Sequence, residues 1–501
     1  MQNKIDTLRE LDLGAIVAEQ DRLLNQCFVS HPVLSEILFD RKDLVLGAKG
    51  SGKSALWKEF VDRQTNYSSL NNVHIRLVTN PSGDPEFRDI LAAISTDEFP
   101  DAEELRTGWR LYFISQFWKA ADEVTPDTRD KKTLEKSLTQ YGLISNNSGT
   151  LKTTFAFALA KARALKKLDV QWIKGLSLEF GEVELRAGGS AAAIPFNAIL
   201  SDIDKLLAGA NRRVWLILDR LDEIILGDEE RENQVLKGLL LAYRDVSDYI
   251  SLRVKVFIRD DVYSRVTALG HFPALTHIRS RAAGPIEWKT DDLLHLVVRR
   301  LLVNECVVKL LEVHPDDVSN TIERYKLFYQ LFPSKVDKGR AAQGFKWIYD
   351  RIIDGNNVAT PRDLLSVFEA ARVFQLEQLE RERIPLPEKL LFTEDSLRKS
   401  VRKVAQDNLE TRIYAEYPDL VEPIKAFAGG KADHNEQTLR RILGSEYEKI
   451  LPRLERVGFI HRRTRQEVEM WTIPFFYSFA LDIKRGAAFD LPIRKPRTKN
   501  K

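Results

Sequence analysis

The sequence is poor in the side chains that carry redox, disulfide and metal-cluster chemistry: its 501 residues include two cysteines, two methionines and eight histidines. Cys27 and Cys306 lie far apart without metal-like neighbours, so both read as small apolar residues in a reducing compartment. No apolar run approaches the ~18 residues of a membrane-spanning helix, and the stretch Phe475 to Leu481 is too short. The opening Met-Gln-Asn-Lys-Ile-Asp-Thr carries no apolar signal core. A cytoplasmic protein without membrane insertion is therefore expected. Net charge is only +3, which gives no whole-chain pull toward nucleic acid, so any basic surface must be local. There is no internal repeat.

What is present is the making of a large folded protein, with 44% hydrophobic and 30% charged residues. The length exceeds one ordinary core and predicts two or three domains.

One stretch organises the rest. Asp43-Leu-Val-Leu-Gly-Ala-Lys-Gly-Ser-Gly-Lys-Ser54 fits the phosphate-loop pattern G-x-x-x-x-G-K-[ST]. Leu44 to Leu46 can form a buried strand, and Ser54-Ala-Leu-Trp-Lys-Glu-Phe60 has helical spacing. Polyphosphate is best held by backbone N–H groups converging at an open helix end. The stretch Gly47, Ala48, Lys49, Gly50, Ser51, Gly52, Lys53, Ser54 and Ala55 supplies that cradle. Its glycines let the chain approach, Lys53 brings a mobile charge to the β and γ phosphates, and the Ser54 hydroxyl can ligate Mg²⁺. ATP and Mg²⁺ are thus the expected ligands.

A second constellation follows Val214-Trp-Leu-Ile-Leu218, an apolar strand opening onto Asp219-Arg-Leu-Asp-Glu223. Asp219 is placed to hold Mg²⁺ through water, the Walker B role. Glu223, with Asp222 next in line, can orient and deprotonate the attacking water, or the two acids can simply cap the following helix. A further strand, Val254-Lys-Val-Phe-Ile258, ends at Arg259, which can sense the γ phosphate or bridge to Asp219 or Asp222. Apolar strands alternating with helices predict an α/β P-loop NTPase: a parallel sheet covered on both faces, with ligands at the strands' carboxyl ends. The long gap between Ser54 and Asp219 calls for an extra strand between the two motifs.

Along the chain, residues 1–40 read as a helical segment with a break at His31-Pro32, and 41–287 as the ATPase core. Val73 to Val78 alternates as a strand and ends at the turn Asn80-Pro-Ser-Gly83. A mostly helical insertion covers about 86–170, with Trp109, Tyr112, Phe113, Phe117 and Trp118 as core; Lys161, Arg163, Lys166, Lys167 and Lys174 form a basic edge. Leu176 to Arg186 reads as a small hairpin with Gly188-Gly-Ser190 as its exit. Residues 288–388 read as a helical lid, whose last helix opens at Thr360-Pro-Arg-Asp363 with Thr360 as N-cap and Pro361 at the first position. Over 389–488, two short helices and a two-stranded ribbon read as a winged helix, and 489–501 as a basic tail. The second of those helices carries acids at Glu446, Glu448 and Glu455, which oppose phosphate, whereas Arg462, Arg463 and Arg465 cluster near the wing tip as the candidate nucleic-acid contacts.

The set GAKGSGKS, LILDRLDE, a strand ending in Arg259 and a downstream TPRDLL resembles the STAND ATPases, particularly the NACHT and KAP groups. It is also similar to bacterial stand-alone P-loop ATPases of mobile and phage-defence gene clusters. The resemblance spans residues 25 to 372, and the winged-helix segment more loosely. It implies that Arg362 contacts the nucleotide from the lid as a sensor-2 arginine, with Arg279 or Arg281 as a trans-acting finger. It also implies a homo-oligomer that signals to a protein effector, in antiviral defence. KAP membrane helices and STAND repeat arrays have no counterpart in the sequence. The competing expectations are a DNA-remodelling ATPase that uses its wing and a scaffold merely stabilised by nucleotide.

Overall fold

The computed structural model describes residues 2–79, 99–144, 182–186, 191–221, 228–268, 272, 275–337, 343–381, 390–465 and 468–490. The chain forms two compact units. One, the sheet unit, comprises His31–Gly47 and Leu56–Ile286; the other, the helical unit, comprises Met1–Ser30, Ala48–Ala55 and Glu287–Lys501.

The strands of the sheet unit are β1 (Leu44–Leu46), β2 (Val73–Thr79), β3 (Glu182–Arg186), β4 (Ala191–Pro195), β5 (Arg213–Asp219), β6 (Leu252–Ile258) and β7 (Ala282–Ala283). Five of them make one sheet in the order β2-β5-β6-β1-β7, every pairing parallel. β5 is apolar from Val214 to Leu218, and β6 is apolar but for Arg253 and Lys255, because both faces are covered, as a parallel sheet requires. β6 separates β1 from β5, so the extra strand expected from the spacing of the motifs is present. Val256 pairs with Leu44 on one side and Leu218 on the other, which brings the carboxyl ends of the three strands to one edge of the sheet. This is the P-loop NTPase fold.

Helix Ala102–Val124 packs on helix Glu229–Val246. Asp101 caps the first of these by accepting from Glu104 N, and Trp109 Nε1 donates to Val235 O at 2.9 Å. The helices approach closely at Gly238, where a Cβ would fall 2.8 Å from Leu105 Cβ. Trp109, Tyr112, Phe113 and Phe117 are buried, as core residues should be. The turn at 80–83, the loop at 145–149 and the basic edge at 161–174 lie outside the described residues.

One sequence expectation is corrected here. β3 pairs antiparallel with β4, so the hairpin spans 182–195 and the glycines at 188–189 fall between its strands instead of leaving it. Ala191-Ala-Ala-Ile-Pro195 has no strand-like alternation, which hid β4. Beyond β6, helices Asp260–Ala268 and Leu275–Ser280 precede β7, which at two residues is too short to leave a periodic signal.

The helical unit has its own core, running from Leu8 through Phe328 and Phe368 to Ile483. Phe332 stacks on Phe328 and Phe392, with centroids 4.3 and 4.4 Å apart. Helices Thr290–Leu302, Thr321–Leu331, Gly344–Ile352 and Pro361–Glu380 are followed by Glu394–Asn408 and a π-helical turn, Leu409–Tyr414. The Thr360 side chain accepts from Asp363 N, the N-cap expected from the sequence.

Next come β8 (Lys431–His434), helices Glu436–Leu443 and Tyr447–Arg456, then β9 (His461–Arg465), β10 (Val468–Thr472) and β11 (Lys484–Ala487). β9 and β10 form an antiparallel ribbon, β8 lies antiparallel to β10, and β11 parallel to β8. The four strands make one sheet in the order β11-β8-β10-β9, with the two helices between β8 and β9. β8 and β11 are polar (Lys-Ala-Asp-His and Lys-Arg-Gly-Ala), which is why the sequence pattern showed only the ribbon. No described helix is long and apolar enough to cross a membrane.

Candidate nucleotide site

β1 delivers the chain to Gly47, and the helix Lys53–Asp62 begins six residues later. Gly50 (φ +85°) and Gly52 (φ +99°) take the left-handed backbone that side-chain-bearing residues avoid. Ser51 N donates to Ala48 O at 3.1 Å, closing a tight turn. Lys53 Nζ donates to the same carbonyl at 3.0 Å, so the ammonium is held within the loop itself. Ser54 and Ala55 occupy the first helical turn, whose N–H groups point out of the helix end.

Other residues of the helical unit pack against this turn. A Cβ added to Gly50 would lie 2.9 Å from Arg362 Cβ and 3.3 Å from Thr360 Oγ1. Arg362 Nε is buried without a hydrogen-bond partner, and so is Ser51 Oγ. Trp288 Nε1 donates to Ser51 O at 2.8 Å. Lys49 Nζ pairs with Glu416, two residues past the π-helical turn. Asn408 Nδ2 donates to Asp363 Oδ1 at 3.0 Å, tying the start of helix Pro361–Glu380 to the end of helix Glu394–Asn408. Trp288 and Glu416 carry no motif, and sequence reasoning missed both.

Within the sheet unit, Asp219 ends β5 and is buried. Trp57 Nε1 donates to its Oδ2 at 2.7 Å. Arg220, next in the chain, has φ +56°, a conformation that costs an arginine energy and is concentrated at functional sites. Arg259 grips Asp261, with Nε to Oδ1 at 3.0 Å and Nη2 to Oδ2 at 2.7 Å. Asp222 and Glu223 lie outside the described residues. The two finger candidates differ. Arg279 is exposed on helix Leu275–Ser280, whereas Arg281 Nε donates to buried Asp43 Oδ2 at 2.7 Å and belongs to the packing at the start of β1.

The loop residues fit a polyphosphate. Two left-handed glycines shape the turn, a Cβ on Gly50 would collide with Arg362, and two buried polar atoms beside it still have hydrogen bonds to make. Ser54 and Asp219 are of the donor type Mg²⁺ takes, one hydroxyl and one carboxylate, with water and phosphate completing the shell.

The wing arginines are partly committed. Arg462 pairs with Glu469 and lies over Trp471, while Arg463 Nη2 donates to Asp433 Oδ1 at 2.7 Å. The Arg465 side chain lies outside the described residues. On the preceding helices, Arg440 bridges Glu436 and Glu448, and Arg453 pairs with Asp419.

No protein-family model and no curated protein matches the chain. Two solved structures resemble it along most of its length. The Walker-type ATPase of Pyrococcus abyssi is 12% identical with a TM-score of 0.37, over 90% of this chain and 94% of that one. The ORC2 protein of Aeropyrum pernix, solved as ADPNP-ADP complexes, is 12% identical with a TM-score of 0.39, over 92% and 97%. Likeness this low leaves the fold resting on the strand order and the site on its own geometry.

Proposed function

We propose that the protein is an ATP-binding and ATP-hydrolysing switch of the STAND/AAA+ kind, which assembles with copies of itself and reports its nucleotide state to a protein effector, in antiviral defence. The observation that carries this reading is Arg362, seated over Gly50 with its Nε buried and unpartnered. A lid arginine with a hydrogen bond left to make, beside a glycine turn, is positioned to feel whether phosphate is there.

The roles follow from position. Loop N–H groups and Lys53 hold the β and γ phosphates, and Ser54 and Asp219 hold Mg²⁺. The ion would neutralise charge developing on the phosphate oxygens. Glu223, or Asp222, takes a proton from the attacking water, and Arg259 turns from Asp261 toward the γ phosphate. Arg279 is the finger we favour, a role worth ~10³ or more in turnover. Residues 288–388 act as the lid and 389–488 as the module that relays its movement, by way of Asn408, Glu416 and the π-helical turn.

The DNA-remodelling alternative is weaker because Arg462 and Arg463 already have acidic partners. It requires ATPase stimulation by DNA and binding that weakens steeply with salt. In the nucleotide-stabilised scaffold, tight ATP binding goes with hydrolysis at background. The deciding experiment is ATP turnover by wild-type protein and Glu223→Gln. The switch reading expects turnover in the first, and bound but uncleaved ATP in the second. Equal turnover in both removes Glu223 as the base, and none in either leaves the scaffold.

A further inference from the structure

The indole of Trp57 stands where no motif assigns a role. It is 6% exposed, lies on the phosphate-loop helix three residues beyond Ser54, and donates from Nε1 to Asp219 Oδ2 at 2.7 Å. An indole N–H can only donate, and it neither ionises nor accepts. The bond therefore holds only while Oδ2 is an acceptor, and it fixes which way the carboxylate faces. Trp57 thus ties the strand-end carboxylate to the phosphate-loop helix. Arg220 fixes the backbone just beyond, at φ +56°. A carboxylate set by a strained main chain on one side and a buried donor on the other is oriented before any ligand arrives.

We infer that Trp57 is a positioning residue for magnesium: its indole N–H orients Asp219 so that the ion is taken up by a preformed carboxylate. This rests on the reading of Ser54 and Asp219 as the metal-holding pair. Trp57 touches neither nucleotide nor ion, and acts through Asp219. Partners of this outer-shell kind change metal affinity by about 10–100-fold when removed. A merely structural tryptophan would change the fold and the nucleotide site together, with or without metal.

The test separates these. ADP is titrated calorimetrically into wild-type protein and Trp57→Phe, first in EDTA and then across a Mg²⁺ series, with the melting temperature of each ligand-free protein recorded. Phenylalanine keeps most of the ring's bulk and removes the donor. The expected result is metal-free ADP affinity within twofold of wild type, a melting temperature within a few degrees, and a half-saturating Mg²⁺ concentration raised about tenfold or more. An unchanged Mg²⁺ requirement overturns the inference, as does an equal loss of affinity with and without the ion. Should wild-type protein bind no ADP under any condition, the nucleotide reading itself fails, which is a different result.

If Trp57→Phe does not fold, the decision passes to the indole N–H resonances of ADP-bound wild-type protein, with the signal of Trp288 identified by Trp288→Phe. One further indole signal should move as Mg²⁺ is added, at the concentration that half-saturates binding. No movement beyond that of Trp288 overturns the inference.

Discussion

Lys255 sits in the middle of β6 with no exposed surface, and replacing it with methionine is the sharpest test of how the sheet is anchored. Its three donors are spent on Asp43 Oδ1 at 2.8 Å, Asp40 Oδ1 at 2.5 Å and Lys42 O at 3.1 Å, and it lies 4.2 Å from the Trp215 ring centroid. Asp43 is equally buried and also accepts from Arg281 and Tyr243. Burial alone would raise its pKa, but Lys255 and Arg281 reverse that and hold it below the usual carboxylate range. Removing one partner of such a buried pair costs about 3–5 kcal/mol, because the other charge is left uncompensated. In a unit of this size that lowers the melting temperature by about 6–20 °C, at about 2–4 °C per kcal/mol. Because the folded pKa of Asp43 is depressed, its contribution is present at neutral pH and lost as pH falls through the acid range. Because Lys255 is the chief cause of that depression, the loss in Lys255→Met should be largest at neutral pH and shrink as pH falls and Asp43 takes up a proton. Adding Asp43→Asn removes the stranded charge and should recover part of the loss, with a coupling of about 0.5–3 kcal/mol. Calorimetry or urea unfolding of the three variants decides the matter. A single variant that melts within about 2 °C of wild type refutes the reasoning.

Two further outcomes are expected. Asp354 is buried, which raises its pKa to about 6 despite Arg412 and the N–H groups of Asn356 and Val358. The folded state therefore keeps this proton longer than the unfolded chain, and stability falls as pH rises from about 4 to 6, by roughly 3 kcal/mol at 1.4 kcal/mol per unit. Asp354→Asn should flatten that segment of the melting curve, and an unchanged slope would clear Asp354. Gly50→Ala puts a side chain at φ +85° and into Arg362. Strain of about 1–2 kcal/mol plus a displaced lid residue should weaken ADP binding about tenfold or more. Calorimetric affinity equal to wild type would detach the glycine turn from the nucleotide.

The parts most legible in the sequence were those where composition and local period agree. β5 and β6 announced themselves as apolar runs because parallel strands are buried on both faces, and Thr360-Pro-Arg-Asp363 announced its helix because a cap is a local device. The extra strand between the two motifs was readable from the distance between them. What escaped depends on tertiary context. β7 is two residues long, and β4 is alanine at three of its five positions. β8 buries Asp433 and His434, and the aspartate is satisfied by Arg463 and Thr472, partners that local sequence does not reveal. Trp57, three residues after Ser54, was readable as facing the same way. That it would reach Asp219 depends on how helix and strand pack, which spacing along the chain does not encode.

The central claim is that the loop from Gly47 to Ser54 holds ATP, and it is tested most directly by titrating ATP at millimolar Mg²⁺ into wild-type protein and Lys53→Ala. Saturable binding by the wild type and its loss in the variant is the predicted result. Absence of binding by wild-type protein, or equal affinity in the two, would contradict it.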